Sequence, residues 1–193
     1  MTRLSELALE CLVIRARGGD LIAFGELARW FRGALTLIAE PILGSRADAE
    51  DAAQDTLLLA YKALPQLADP SRFPGWICAI VRHRAKRIGI KGSRVTPEEP
   101  SKLDRLILEQ AADPATVFAQ RSEWDCLRAY KNALPPEYRT VIHLRYWEEW
   151  PVSQIAAFLT LPMTTVKWRL HYGRDLLRRA LLKEMETETD GTE

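Results

Sequence analysis

Residues 134–181 read LPPEYRTVIHLRYWEEWPVSQIAAFLTLPMTTVKWRLHYGRDLLRRAL, and this stretch decides the fold. Its apolar residues recur every three or four positions, which is the spacing of an amphipathic helix. Pro151 and Pro162 interrupt the pattern, and proline seldom continues a helix. The spacing therefore predicts helices over 136–147 and 152–159, followed by one longer helix.

The longer helix has an apolar side and a basic side. Its apolar stripe is Val166, Leu170, Gly173, Leu177 and Leu181, and the opposite side presents Lys167, Trp168, His171, Arg174 and Arg178. We expect Thr164 or Thr165 to cap it and Ser153 to cap the helix before it. A short helix, a tight turn and a basic helix form the order of a DNA-binding helix-turn-helix. Charge alone leaves open an ordinary solvated surface helix.

The rest of the chain also has helical periodicity, and no stretch alternates as a strand does. Four helices are expected before residue 90: Leu4 to Arg17, stopped by Gly18-Gly19; a second capped by Asp20 that bends or ends near Pro41; a third capped by Asp48 and ending near Leu64; and a fourth from Gly75 to Ile88, after a loop at Pro70 to Pro74. The predicted fold class is all-α, with two small helical domains joined by a flexible linker. The expected boundaries are 1–90 and 118–183 for the domains, 91–117 for the linker and 184–193 for an acidic tail.

Charge is distributed unevenly although the formal net charge is only +1. Residues 82–94 hold six basic residues and no acid, and residues 165–183 hold six basic residues against one acid. Between them, residues 98–125 hold seven acids against three bases. Two basic blocks around an acidic spacer indicate two contacts with a polyanion.

The residue types that catalysis or metal binding needs are scattered. Cys11, Cys78 and Cys126 form no C-x-x-C pair, the three histidines lie far apart, and no phosphate loop or nucleophile elbow is present. We therefore expect a protein that is not an enzyme and that needs no metal or other cofactor. The N-terminus carries Glu6 and Glu10 and has no long apolar core, so we expect no signal peptide and a cytoplasmic location.

The ordered string from Leu134 closely resembles region 4 of bacterial sigma factors, the domain that reads the upstream (−35) promoter element. The family pattern has a Leu-Pro start, a Leu-Arg-Tyr helix, an Ile-Ala pair, a Pro-containing corner and Thr-Val-Lys-x-Arg-Leu-His. All these appear here in order, although Thr160 stands where the family commonly has glycine. The resemblance implies that the residues contacting duplex DNA are Thr164, Thr165, Lys167, Trp168, Arg169, His171 and Arg174.

The string Asp48-Ala-Glu-Asp-Ala-Ala-Gln-Asp-Thr56 resembles region 2 of the same family. In the family this helix binds the coiled-coil clamp of the large β′ subunit of RNA polymerase. The resemblance implies polymerase contacts from Glu50, Asp51, Gln54 and Asp55. Leu57 and Tyr61 stand where the family often has Phe and Trp. Acids in a first helical turn also suit the helix dipole, so a purely structural role explains part of this string.

The segment Arg72-Phe-Pro-Gly-Trp76-Ile, with the basic helix after it, resembles the next part of region 2. In the family, that helix reads the downstream (−10) element and the loop before it captures a base flipped from the opening duplex. We expect Phe73 and Trp76 to be core residues. The implied contacts with single-stranded DNA come from Arg72, Arg82, His83, Arg84, Lys86 and Arg87, with His83 at a position where the family commonly has Asn.

The resemblance covers roughly residues 8–90 and 118–182 in family order. Extracytoplasmic-function (ECF) members of the family keep only these two domains, which fits a chain of 193 residues. The resemblance implies core RNA polymerase as partner, through the β′ clamp and the β flap, together with promoter DNA. An anti-sigma protein is a candidate further partner, and we expect a monomer in the free state. The alternative is a helix-turn-helix regulator of the response-regulator output type, which would not need the string at residues 48–61.

Overall fold

The computed structural model describes residues 5–92 and 134–190, with side chains described over 5–90 and 134–179. This part of the chain is all-α, as the sequence predicts, and contains no strand. Its helices are α1 Glu6–Arg17, α2 Leu21–Leu43, α3 Arg46–Ala63, α4 Phe73–Gly92, α5 Pro136–Tyr146, α6 Val152–Leu159 and α7 Met163–Asp190. Two single-turn 3-10 helices, Leu64–Gln66 and Pro70–Arg72, connect α3 to α4. The predicted linker at 91–117 begins inside α4, and its remainder lies outside the described residues.

The chain divides into two compact units that cut across the predicted helix-turn-helix. The first unit comprises Met1–Pro97 with Leu144–Leu161, and the second comprises Glu98–His143 with Pro162–Glu193. Helix α6 therefore belongs to the first unit together with α1 to α4. Most of α5 and all of α7 belong to the second.

The N-terminal helices begin at polar caps, one of which differs from the prediction. Asp20 caps α2 as expected, because its carboxylate accepts from the backbone N–H of Ile22 and Ala23 at 2.9 and 3.0 Å. The prediction that Asp48 caps α3 is wrong: the Ser45 hydroxyl accepts from the Asp48 N–H, and Asp48 lies in the first turn. Helix α2 also does not end at Pro41 but continues to Leu43.

The C-terminal helices follow the predicted order with different ends. Helix α6 has its predicted bounds, but Ser153 does not cap it, since Pro151 occupies the N-cap without a side-chain hydrogen bond. Helix α7 starts at Met163, so Thr164 and Thr165 lie in its first turn rather than before it. It runs to Asp190 and so includes most of the tail predicted at 184–193.

The residue that ends α6 adopts a conformation that favours glycine. Thr160 has φ 56° and ψ 42°, in the left-handed region that costs an L residue with a branched side chain about 1 kcal/mol or more. Its hydroxyl donates to the Leu159 carbonyl at 2.6 Å. A threonine thus adopts a left-handed conformation at the position where the resembled pattern commonly has glycine.

Helix α3 packs through small residues, as its sequence predicts. Ala49, Ala52, Ala53 and Ala60 are fully buried, and Thr56 is buried with its hydroxyl donating to the Ala52 carbonyl at 2.7 Å. Small side chains let the helix backbone approach its neighbours closely. On the polar side of α3, Asp51 and Gln54 are exposed.

An aromatic cluster fills the centre of the first unit. Phe31 of α2 lies 5.3 Å from Phe73 of α4 and 5.4 Å from Trp150, ring centroid to centroid, in edge-to-face arrangements. Trp150 lies 5.2 Å from Phe158 of α6, and all four rings are at most 1% exposed. Edge-to-face pairs of buried rings stabilise a core beyond the area that they bury. Sequence reasoning did not single out Trp150.

In the second unit, α5 and α7 pack closely at a glycine. A Cβ built on Gly173 would lie 3.1 Å from Ile142 Cγ1, so a larger residue would require Ile142 to shift by a few tenths of an ångström. Val166, Leu170 and Leu177 form the buried stripe of α7, and Val141 and Ile142 are buried on α5. The three α7 residues belong to the apolar stripe that the periodicity predicts. Within the described residues, none of the helices is both long enough and apolar enough to span a membrane.

Candidate nucleic-acid interface

Helix α4 carries an exposed basic stripe in its second half. His83, Lys86 and Arg87 are exposed and Arg82 is half-buried, at positions that three- and four-residue spacing brings to one side. Three cations along two turns, without an acid among residues 82–90, form a surface suited to a phosphate backbone. Four of the six sequence-predicted −10 residues are thus brought together.

Arg84 points away from that stripe. Its guanidinium binds the Asp55 carboxylate of α3, with Nε donating to Oδ2 at 3.1 Å and Nη2 donating to the same oxygen. The two side chains are 33% and 43% exposed. The sequence assigned Asp55 to polymerase and Arg84 to DNA, and the structure joins them across the α3–α4 contact.

The polar edge of α3 contains the other predicted polymerase contacts. Asp51 and Gln54 are exposed, and Glu50 is half-buried. Glu50 accepts from Arg46 Nε at 3.0 Å, one turn earlier on the same helix. Asp51 and Gln54 are therefore the two members of the set that lie exposed on the surface of α3.

The connection between α3 and α4 borders a cleft of about 730 Å³ in the first unit. Asp69 orders this connection: its carboxylate accepts from the Ser71 N–H at 3.0 Å and from the Ser71 hydroxyl at 2.6 Å. These hydrogen bonds, with Arg72 close by, hold the pKa of Asp69 below its usual value. Arg72 Nε lies 3.4 Å from the Asp69 carboxylate. Arg72, which the sequence predicts to contact DNA, is therefore paired with an acidic residue of its own loop.

The two aromatic residues at the start of α4 have different surroundings. Phe73 is fully buried, as predicted. Trp76 is only half-buried, lies 5.8 Å from Phe73 between ring centroids, and lines the cleft together with Gly75. The prediction that Trp76 is a core residue is therefore wrong in part, since one side of its ring borders open space. Thr160, which directly follows α6, also lines this cleft, and a Cβ built on Gly75 would lie 2.8 Å from the Thr160 methyl group.

The exposed side of α7 matches the predicted basic face at four positions. Lys167, His171, Arg174 and Arg178 are exposed at four-, three- and four-residue spacing, which places them on one side of the helix. Arg174 Nε also donates to the Leu170 carbonyl at 3.2 Å. Thr164 is exposed in the first turn and Thr165 is half-buried. This side of α7 is the candidate surface for duplex DNA.

Trp168 and Arg169 are placed differently from the predicted face. The Trp168 ring stacks on Tyr172 with centroids 5.4 Å apart and planes 8° from parallel, and both rings contact Tyr138 of α5. Arg169 is half-buried and about 160° around α7 from His171 by helical geometry. The sequence showed the three aromatic residues but not that they meet, because Tyr138 lies thirty residues away.

Two family models match the chain. Residues 27–88 match sigma-70 region 2, and residues 124–177 match sigma-70 region 4. The first match contains α3, the cleft-bordering loop and the α4 stripe, and the second contains α5, α6 and the basic face of α7. These two regions, in this order, define the class of sigma-70 factors.

Similar known proteins show to which group of sigma-70 factors the chain belongs. The chain is 31% identical over 157 residues to the ECF RNA polymerase sigma factor SigL of Mycobacterium tuberculosis, with 72% of this chain and 78% of SigL covered. It is 30% identical over 181 residues to the probable RNA polymerase sigma factor RfaY of Xanthomonas campestris, covering 92% of this chain but only 45% of RfaY. The chain spans less than half the length of that relative. The chain belongs to the ECF family of RNA polymerase sigma factors, and these likenesses favour it over the response-regulator alternative.

A solved structure has a similar fold. CnrH, determined in complex with the cytosolic domain of CnrY, superposes with a TM-score of 0.56 at 24% identity and covers 91% of this chain and 97% of the CnrH chain. This similarity supports the helical architecture.

Proposed function

We propose that this chain binds core RNA polymerase and directs it to begin transcription at specific promoters. The observation that carries the proposal is the pair of exposed basic helical faces, on α4 and α7, which lie in the two segments that match sigma-70 regions 2 and 4. Two such faces suit a protein that must hold two elements of one promoter. The role is non-catalytic, since the polymerase supplies the chemistry.

In this proposal the first domain, 1–90, binds polymerase and handles the −10 element. Asp51 and Gln54, with Glu50 and Asp55 beside them, face the basic coiled-coil clamp of the β′ subunit. Arg82, His83, Lys86 and Arg87 follow the backbone of the single strand, and the loop before α4 receives an unstacked base. Cations that track the backbone and a shaped pocket for a base are what single-strand capture requires.

The second domain, 118–183, reads the −35 element as duplex DNA, and residues 91–117 connect the two. Lys167 and His171 are the candidates for base contacts, while Arg174, Thr164 and Thr165 hold phosphates. Trp168 stabilises the basic face of α7 through its stack with Tyr172, and the edge of its ring enters the DNA groove. Arg169 is the weakest member of the predicted set because it is half-buried on another side of α7.

The remaining partners follow from the same role. The second domain would also meet the β flap of the polymerase, and an anti-sigma protein is a further candidate regulator of the free chain. We propose that the free chain is a monomer and that it acts in the cytoplasm, where RNA polymerase transcribes. No cofactor enters the proposed role.

The experiment that tests the proposal is binding to purified bacterial core polymerase. Tagged chain is expected to retain core enzyme on a column and to be displaced by an excess of a housekeeping sigma factor. A plain DNA-binding regulator would not retain the core enzyme. Absence of retention, with the helical circular dichroism of the chain intact, would overturn the proposal.

A further inference from the structure

The last residue of α1 contacts the loop that precedes α4. Arg17 Nη1 donates to the Leu67 carbonyl at 3.1 Å and to the Ala68 carbonyl at 3.3 Å. The contact joins residues fifty positions apart, and the Arg17 side chain is half-buried. A guanidinium stays charged at any physiological pH and donates in a fixed plane, so one Arg17 side chain can hold two successive carbonyls.

The same loop is ordered from its other end by its own residues. Leu67 is buried and its N–H donates to the Leu64 carbonyl at 3.0 Å. Beyond Ala68, the Asp69 carboxylate binds Ser71, and the Arg72 N–H donates to the Asp69 carbonyl at 3.1 Å. Without Arg17, the carbonyls of Leu67 and Ala68 lose the donor that ties the middle of the loop to α1.

This loop lines the cleft through Leu67, Ala68 and Asp69, and Trp76 lines the same cleft. The shape of the cleft therefore depends on where the backbone of residues 67–69 lies. A pocket that is already formed binds its ligand more tightly, because less conformational entropy is lost on binding.

We propose that Arg17 is a positioning residue, which fixes the backbone of residues 67–69 in the shape that receives an unstacked base of the −10 strand. The inference rests on the proposed function, since that function assigns base capture to this loop. Arg17 itself does not touch DNA in this account. It acts through the two carbonyls that it holds.

The chain offers a matched control two residues earlier. Arg15 is an exposed arginine of the same helix, and its guanidinium binds the Asp20 carboxylate, from Nη2 at 2.7 Å and from Nε at 3.0 Å. Arg15→Gln and Arg17→Gln remove the same charge from the same helix end. Only Arg17→Gln removes the contact with the loop.

The first readout is hydrogen exchange of the loop amides in the full chain. Arg17→Gln is expected to speed the exchange of the Leu67 and Arg72 amides by about tenfold, the scale of losing hydrogen bonds to a charged group. Arg15→Gln should leave both amides at the wild-type rate, and Arg17→Lys, which can reach one carbonyl, should give an intermediate rate. Equal exchange in Arg17→Gln and wild type would overturn the proposal.

The second readout is promoter opening by the holoenzyme on promoters that it selects from genomic fragments. Each base of the −10 element on the non-template strand is replaced in turn by an abasic site, and open complex is measured. The wild-type yield of open complex is expected to fall most when the abasic site replaces the captured base. On the intact promoter, Arg17→Gln is expected to form about tenfold less open complex than wild type. An abasic site at the captured position should lower the Arg17→Gln yield little further, because the captured base is already missing.

Two results separate failure of this inference from failure of the proposed function. If wild-type chain retains no core polymerase and opens no promoter, the proposed function fails. If wild type opens promoters and Arg17→Gln suffers the full abasic penalty at every position, the positioning role of Arg17 fails alone. Core-polymerase affinity should be the same for wild type, Arg15→Gln and Arg17→Gln.

Discussion

Asp55 of α3 and Arg84 of α4 form an ion pair between the two helices. The sequence predicts a polymerase contact for Asp55 and a DNA contact for Arg84. Both are partly exposed, so the pair stabilises the fold by no more than about 1 kcal/mol. Its position matters more than its energy. A change at Asp55 would alter both the edge of α3 that we propose faces the polymerase and the ion pair with Arg84 of α4.

Charge reversal at Asp51 and Asp55 should therefore give different results. Asp51→Lys is expected to abolish retention of core polymerase with no change in thermal stability, because the Asp51 side chain is exposed on α3. Asp55→Lys should lose retention and also about 1 kcal/mol of stability, since it places a cation against Arg84. Adding Arg84→Glu to Asp55→Lys should restore stability but not retention. Unchanged retention by Asp51→Lys would remove the α3 edge from the interface.

Cys78 should make the stability of the chain depend on pH in the alkaline range. Burial raises the pKa of this thiol to about 11, against a lowering influence from Arg82. From pH 9 to 11 the thiol ionises in the unfolded chain but not in the folded one, so the free energy of unfolding falls as pH rises. Compared with a Cys78→Ala variant, wild type should lose at most about 3 kcal/mol across this window.

The measurement is urea unfolding at pH 8, 9, 10 and 11 for both chains in a Cys126→Ser background. The exposed Cys11 supplies an internal control, since it should be alkylated rapidly at pH 8 while Cys78 is protected. Parallel pH curves for wild type and Cys78→Ala would contradict the assignment.

Trp150 should be the costliest single truncation in the first unit. Its ring is 1% exposed against Phe31 and Phe158, and truncating a buried aromatic residue to alanine costs about 3–5 kcal/mol. Trp150→Phe should cost much less, because within the described residues the indole N–H is buried without a hydrogen-bond partner. Urea unfolding of both variants checks this order, and equal losses would show that the ring does not fill the cluster.

Much of this fold follows from local sequence signals. Asp20 precedes a long apolar period and caps α2, and the stripe from Val166 to Leu177 sets the buried side of α7. It is harder to predict from sequence that Ser45 rather than Asp48 caps α3, because both residue types can cap a helix and they lie three positions apart. Ser45 directly follows Gly44, which ends α2 with φ 70° and so fixes where α3 can begin.

The contacts that shape the candidate site could not be predicted from such local signals. Asp55 meets Arg84 at a separation of 29 residues, and Arg17 meets Leu67 at a separation of 50. Each of these side chains also suits an exposed helix surface, so nothing in its neighbourhood marks it as paired. Periodicity predicts which side of a helix is buried, but it does not predict which helices face each other.

Specificity for the −35 element should reside in Lys167 and His171 rather than in Arg174. Loss of a base contact typically costs about 1–3 kcal/mol and relaxes preference at one base pair, whereas loss of a phosphate contact weakens all sequences alike. Alanine variants at the three positions, assayed as holoenzyme on a library of upstream-element sequences, separate the two effects. The assignment is wrong if Arg174→Ala changes base preference while Lys167→Ala and His171→Ala lower activity uniformly.

Trp168→Ala should also destabilise the basic face of α7, through loss of its stack with Tyr172.

Transcription in vitro from genomic fragments tests the central claim most directly, with the 5′ ends of the transcripts sequenced. Core polymerase with the chain should start at a discrete set of sites that share one −10 and one −35 sequence, and neither component alone should do so. The chain alone should bind those fragments weakly, with an affinity that falls steeply as salt rises. Starts that are the same with and without the chain, or tight promoter-specific binding by the chain alone, would contradict its role as a sigma factor.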